Sequence, residues 1–353
     1  MVSGTALSTL LSQVLIAFTI EVDNHFEQRM PHTTAAAKPV GEPRGGPWLV
    51  SLPMWANFMR LVPSTGITVG ELEARAGAGK TDLRGSNPGM VRWGYVTVGA
   101  DRLVRPTAAG VRAQEIWAPL PREIESAWLG RYPEAVGLRS ALLALAAQID
   151  EELPDAIPEN VAHGGRVDIP RRPRAAPRAE DADLSVLLAH VLLAFTRDFE
   201  ERSTSSLGHG ANALRVLNAD GLPMSALPAL TGVAKESFQV MLHWLVEAGT
   251  ARIEGAGRAK SVRLTTSGEV MKGEHREHTT DVERAWRTRY GDDAVTRLRS
   301  ALEHLVVSTV LAESPLEGAV EPLPGGWRAA VRKPEVLPHH PAASHRGFYP
   351  DGS

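Results

Sequence analysis

The strongest constraint on this chain is that it is written twice. Leu7-Ser8-x-Leu10-Leu11-x-x-Val14-Leu15-x-Ala17-Phe18-Thr19 returns 177 residues later as Leu184-Ser185-x-Leu187-Leu188-x-x-Val191-Leu192-x-Ala194-Phe195-Thr196. Further along, Ala127-Trp128-x-x-Arg131-Tyr132 returns as Ala285-Trp286-x-x-Arg289-Tyr290, and Leu138-Arg139-Ser140-Ala141-Leu142 returns unchanged at residues 298–302. Matches that keep their order across most of both halves mark duplication of a whole domain, not a short-period solenoid. What one copy is built to do, the other was built to do as well. We place the first copy at residues 1–153, a Pro/Arg-rich linker at 154–180, the second copy at 181–331 and a tail at 332–353.

Two medium domains fit a length of 353 residues, each large enough to bury its own core. A formal net charge of −3 excludes a uniformly basic, nucleic-acid-coating protein but leaves room for a local basic face. The chain has no cysteine, hence no disulfide and no thiolate metal site, which fits a reducing cytoplasm. The apolar stretch 6–20 lacks a basic leader, and its twin lies deep inside the chain, so both read as structural helices and not as targeting signals. No apolar run has the length of a membrane span. The expectation is a soluble, cytoplasmic protein without a membrane partner.

Between the halves, Pro154, Pro158, Gly164, Gly165 and the run Pro170-Arg-Arg-Pro-Arg-Ala-Ala-Pro177-Arg178 cannot continue a helix, and read as an extended, solvated linker. The tail has no counterpart in the first half; its His339, His340 and His345 have no helix to hold them in register, so no metal is expected.

In the second half, residues 184–201 and 211–217 read as helices, closed by the turn signal Asp220-Gly221-Leu222-Pro223. A short helix at 225–230 and Thr231-Gly232 precede a helix at 235–248, whose Phe238, Leu242, Leu245 and Val246 share a face and which stops at Gly249. Strands at 250–254 and 261–264 flank a basic tip, Gly255-Ala-Gly257-Arg258-Ala-Lys260. Thr265-Thr-Ser-Gly268 then opens a long helix. Helices, a hairpin and long helices in this order make a winged helix-turn-helix. The expected fold is mainly α with small β-hairpin wings, in two tandem winged helix-turn-helix domains that close into an intramolecular pseudo-dimer.

That order of elements resembles the MarR family of bacterial transcriptional regulators. The resemblance rests on Thr231-Gly-Val-Ala-Lys-Glu-Ser237, on Leu245-Val-Glu-Ala-Gly249, and on Val262-Arg-Leu-Thr-Thr-Ser-Gly268, which is similar to the family's "v-x-L-T-x-x-G" signature. Gly77-Ala-Gly-Lys80, Val91-Arg-Trp-Gly94-Tyr95-Val96 and Val104-Arg-Pro-Thr-Ala-Ala-Gly110 match more loosely in the first half. The resemblance implies dimer-like closure through the first and last helices, double-stranded DNA as partner, and an effector cleft between the interface helices and the winged domain. Mutual burial of Leu7–Phe18 and Leu184–Phe195 agrees with it independently, since both are too apolar to face water.

A helix-turn-helix lays the start of its second helix in the major groove. On that helix Lys235, Ser237, Gln239 and His243 are the candidate DNA contacts, with Arg258, Lys260 and Arg263 on the wing. In the first half Lys80, Thr81, Arg84, Arg102 and Arg105 are candidates. There Gly85-Ser-Asn-Pro88-Gly89 falls where the second half has mid-helix residues; an interior proline costs about 3 kcal/mol. Two short helices are expected instead, at 80–84 and 88–93, with Asn87 as cap, and also a shorter wing. Trp55, Phe58, Trp93, Phe195, Phe199 and Trp244 are the candidate effector-lining aromatics, with Tyr95, Trp128 and Trp286 nearby.

Ala74-Arg-Ala-Gly-Ala-Gly79-Lys80-Thr81 imitates a phosphate-binding loop but follows a helix where such a loop needs a strand. Asp150-Glu151-Glu152 and Asp292-Asp293 read as helix-end charges, and His190 as an interface histidine. No catalytic triad, metal spacing or dinucleotide fingerprint is present, so no enzyme activity and no cofactor are expected. The function expected is a DNA-binding regulator, monomeric or weakly dimeric, responding to a small-molecule effector. The alternative is a tandem winged-helix scaffold that has lost DNA binding and binds a protein or metabolite.

Overall fold

The computed structural model describes residues 4–34, 47–76, 89–162, 164–174, 181–307, 310–331 and 333–342. The first half runs α1 (Leu7–Arg29), α2 (Leu52–Asn57), β1 (Ile67–Thr68), α3 (Val69–Ala76), α4 (Gly89–Arg92), β2 (Val96–Val98), β3 (Leu103–Pro106), α5 (Ala108–Trp117), α6 (Leu120–Arg131) and α7 (Glu134–Ala146). A single turn, α8 (Glu159–Ala162), lies in the linker. The second half runs α9 (Leu184–Glu200) and α10 (Leu207–His209), which continues into a π turn at Gly210–Leu214. After it come β4 (Leu222–Pro223), α11 (Leu227–Thr231), α12 (Lys235–Glu247), β5 (Ala251–Glu254), β6 (Ser261–Leu264), α13 (Thr266–Tyr290) and α14 (Asp292–Leu305). Beyond it lies α15 (Glu317–Val320).

The protein is mainly helical, with two three-stranded antiparallel sheets ordered β1-β3-β2 and β4-β6-β5. The two hairpins were legible in the sequence. The third strand of each sheet was not, because two residues are too few to show alternation. No helix among the described residues is long and apolar enough to cross a membrane.

Helix α1 packs against α9, and α7 against α14, so one continuous apolar core draws on both halves. Burial nearly all round α1 is what an apolar helix without a polar stripe requires. Its hydroxyls are satisfied within the helix: Ser12 donates to the Ser8 carbonyl at 2.6 Å and Thr19 to that of Leu15 at 2.8 Å. Each buried leucine-sized side chain contributes about 1.5–3 kcal/mol.

The repeated motifs make repeated contacts. The Trp128 indole N–H donates to Glu21 and that of Trp286 to Asp198, both at 2.7 Å. Phe18 meets Trp128 edge-on, and Phe195 meets Trp286 likewise, with ring centroids 5.1 Å apart in both. Glu125 pairs with Arg139 at 2.6 Å and Glu283 with Arg299 at 2.5 Å.

The Thr-x-x-Gly motif after each hairpin now has a physical reason. Thr107 and Thr265 cap α5 and α13 by accepting from the amides of Gly110 and Gly268. A Cβ on Gly110 would lie 2.1 Å from the Tyr95 carbonyl oxygen, and one on Gly268 2.0 Å from that of Thr250, so only glycine fits.

The copies also diverge. α13 is one helix of 25 residues, whereas its counterpart is split into α5 and α6 at Pro119 and Pro121, where the second half has Glu277 and Thr279. Residues 154–174 do not run free as a solvated linker: Ile157 and Val161 enter the core, Arg171 pairs with Glu151 and Glu201, and Arg174 donates to the Ala146 carbonyl at 2.9 Å. Proline ended the helix there, but apolar and arginine side chains docked the segment. Residues 311–342 form a strap across both halves. Arg328 is buried beside Asp23 and Glu27 of α1, Gln13 donates to the Leu337 carbonyl, and Asn212 holds both His339 and His340.

Candidate nucleic-acid interface and ligand clefts

A second, smaller apolar core sits under α11, α12 and the β4-β6-β5 sheet. It fixes which face of α12 is free. Phe238, Met241, Leu242 and Leu245 point into that core, leaving Lys235, Gln239 and His243 exposed. Ser237 lies on the inner face at 2 % exposure, so the expectation that it contacts DNA is corrected: helical periodicity puts it with Phe238 and Met241. Glu236, Val240 and Trp244 share the outer face with the polar candidates.

On the second hairpin, Arg258 and Lys260 are exposed, with no carboxylate within 4.0 Å among the described residues. Arg263 differs. Its guanidinium lies 3.1 Å from Glu254, which also holds Arg252 at 2.9 Å, so its charge is locally compensated.

In the first half Arg102 is exposed at the hairpin turn with φ of 61°, in the left-handed region. Arg105 is folded back onto Asp101 by two hydrogen bonds of 3.0 and 2.6 Å, which hold the Asp101 carboxyl down to about 2. That pairing removes Arg105 as a free cation. The connecting loop spans residues 99–102 in this wing against 255–260 in the other, so the first wing is the shorter. Lys80, Thr81, Arg84 and the helix expected at 80–84 lie outside the described residues, as do Asn87 and Pro88; α4 begins at Gly89.

The aromatic candidates mostly resolve into core. Phe58, Trp93, Phe195 and Phe199 are buried in the shared core, and Trp244 stands outside on α12 at 58 % exposure, so none of the five lines either of the two clefts described next. The apolar character that marked them as ligand walls is what draws them into packing. Trp55 borders a cavity of about 100 Å³ between α1, α2 and α9. Its ring stacks on Trp117 at 6.0 Å. Among the described residues no cluster of His, Asp and Glu is placed to hold a metal ion.

A larger cleft, of about 780 Å³, opens between the start of α1, the π turn and α13. Arg215, Lys272, Arg276, Arg284, Arg287 and Arg299 line it, with Glu283 as an acid on the same wall. Sequence reasoning looked for aromatics and missed these cations. The signal was present in the duplication: Gly210 stands where the first half has Trp55, and His275 where it has Trp117.

Family models, curated proteins and solved structures contain no match to this chain. The histidines around the cleft are held neutral by burial. It pulls His209 and His275 down to about 4, His339 to about 3 and His340 to about 4. They offer hydrogen-bonding nitrogens at neutral pH, not charge.

Proposed function

We propose that this protein is a DNA-binding transcriptional regulator of MarR-like type, a single-chain pseudo-dimer of two winged helix-turn-helix domains that meets double-stranded DNA mainly through its second half. One observation carries the reading. Lys235, Gln239 and His243 occupy the solvent face of α12, and Arg258 and Lys260 stand without a carboxylate partner among the described residues on the hairpin that shares its core. Glutamine suits an adenine edge, and the cations suit guanine or phosphate. The test is fluorescence anisotropy with a mixed-sequence 30-base-pair duplex across a salt series. Phosphate neutralisation makes log affinity fall linearly with log salt. No binding at 50 mM salt, or binding indifferent to salt, would refute the reading.

The second reading, a winged-helix scaffold that binds a protein, is favoured by Trp244 at 58 % and Val240 at 41 % exposure on the same helix face. Under that reading Trp244→Ala abolishes partner capture while duplex binding is absent in the parent chain.

A further inference from the structure

The duplication places two clefts at equivalent positions, and part of their walls keeps the same contacts. Arg60 and Arg215 sit at the same place, each turning its Nε onto the carbonyl four residues earlier, of Ala56 and Ala211. Gln114 donates to the Val62 carbonyl, and Lys272, its counterpart, to that of Leu217, both at 2.7 Å. From this common frame the two sites part.

In the first, the Trp55 and Trp117 rings fill the space, Pro121 lines what is left, and Asp155 of the linker neutralises Arg60 at 3.0 Å. In the second, Gly210 and His275 replace the two tryptophans, and Thr279 replaces Pro121. Gly210 lies so close to His275 that a Cβ would fall 1.6 Å from the imidazole, so the wall here stays bare. Among the described residues, Arg215 donates to the carbonyls of Ala211 and Leu230 and Lys272 to that of Leu217, and neither these nor Arg276 has a carboxylate partner.

We propose that the open cleft binds one hydrophilic, multiply charged anion of metabolite size, and that the chain keeps one such site where its duplication made two. Arg215, Lys272 and Arg276, three cations with no carboxylate partner among the described residues, line the space together with Ser8, Thr9 and Thr279. No tryptophan, tyrosine or phenylalanine among the described residues lines it, so the lining is dominated by charge and not by apolar rings. A volume of about 780 Å³ suits a ligand of that size. Burial pulls the Arg215 guanidinium down to about 10, the mark of a desolvated cation that an anion would relieve. The π turn at Gly210–Leu214 shapes the same wall, as such turns often do at binding sites.

The inference goes beyond duplex binding and is read without DNA, by titration calorimetry on the full chain. Pyrophosphate and citrate are the probes, with benzoate as an aromatic monoanion. Pyrophosphate or citrate should bind once per chain, the tighter of the two naming phosphate or carboxylate as the natural group. Arg276→Ala, which has no hydrogen bond to lose among the described residues, should weaken binding about tenfold, and Arg215→Ala with Lys272→Ala more. Arg60→Ala should leave it unchanged. Binding of neither probe below millimolar concentration, two ions per chain, tighter binding of benzoate, or no response to Arg276→Ala would each overturn the proposal.

Discussion

The two copies share a frame and differ in what fills it. Each keeps an indole N–H on an acid of its first helix, at 2.7 Å, and a Thr-x-x-Gly cap closing on the hairpin. Yet the first copy has spent its cleft on stacked tryptophans, split its long helix at two prolines and folded Arg105 onto Asp101. The second keeps α12 and α13 continuous, leaves Arg258 and Lys260 of its wing without a carboxylate partner among the described residues, and holds its cleft open. Once two copies share one core, one of them is free to become structure. The contacts that hold each copy's own helices together are preserved in both, and the open cleft is kept in one.

The largest expected effect on this comparison is from acid. Burial lowers the folded-state pKa of His209, His275, His339 and His340, all of them around the second copy and the strap. Their stabilisation is present above the unfolded histidine pKa of about 6.5 and is lost as pH falls toward about 4. Each contributes up to about 1.4 kcal/mol per pH unit in that window. Asp23 runs the other way, since burial pushes its carboxyl up to about 7 against the pull of Arg328, and its share is lost as pH rises through that value. Hydrogen exchange at pH 5 should therefore show α10 to α12 losing protection before α2 to α4. Uniform loss would break the contrast.

Next in size is the tryptophan pair. Trp117→Ala should cost about 3–5 kcal/mol in a denaturant melt, while His275→Ala, at the equivalent place beside an open cleft, should cost about 1 kcal/mol or less. Equal costs would mean that the two clefts are packed alike. Smaller again, Gly268→Ala should destabilise by about 1–3 kcal/mol, because its Cβ would meet backbone at 2.0 Å. Gly110→Ala should do the same within error. The smallest effect is Lys260→Ala, which should lower the salt slope of duplex binding by about 1.

Much of this was legible in the residues. Long apolar repeats located α1 and α9, turn chemistry located the second hairpin, and alignment of the two copies placed the first. The cleft was not legible in one copy alone: Arg215, Lys272 and Arg276 are ordinary surface residues until Trp55 and Trp117 are set against Gly210 and His275. Ser237 was misread because its hydroxyl drew it to the polar set, although its spacing of four from Met241 places it on the inner face. The docking of residues 154–174 and the strap at 311–342 rest on contacts with residues far away in the chain, such as Glu201 and Asp23, which no local pattern announces.

The division of labour between the copies is tested most directly by matched charge removal. Lys235→Ala with Arg258→Ala and Lys260→Ala is set against Arg102→Ala with Arg105→Ala, and the salt dependence of duplex binding is measured for each. The account predicts that the first set lowers the slope by about 2–3 and the second by less than about 1. Equal losses, or a larger loss from the first-half pair, would contradict it.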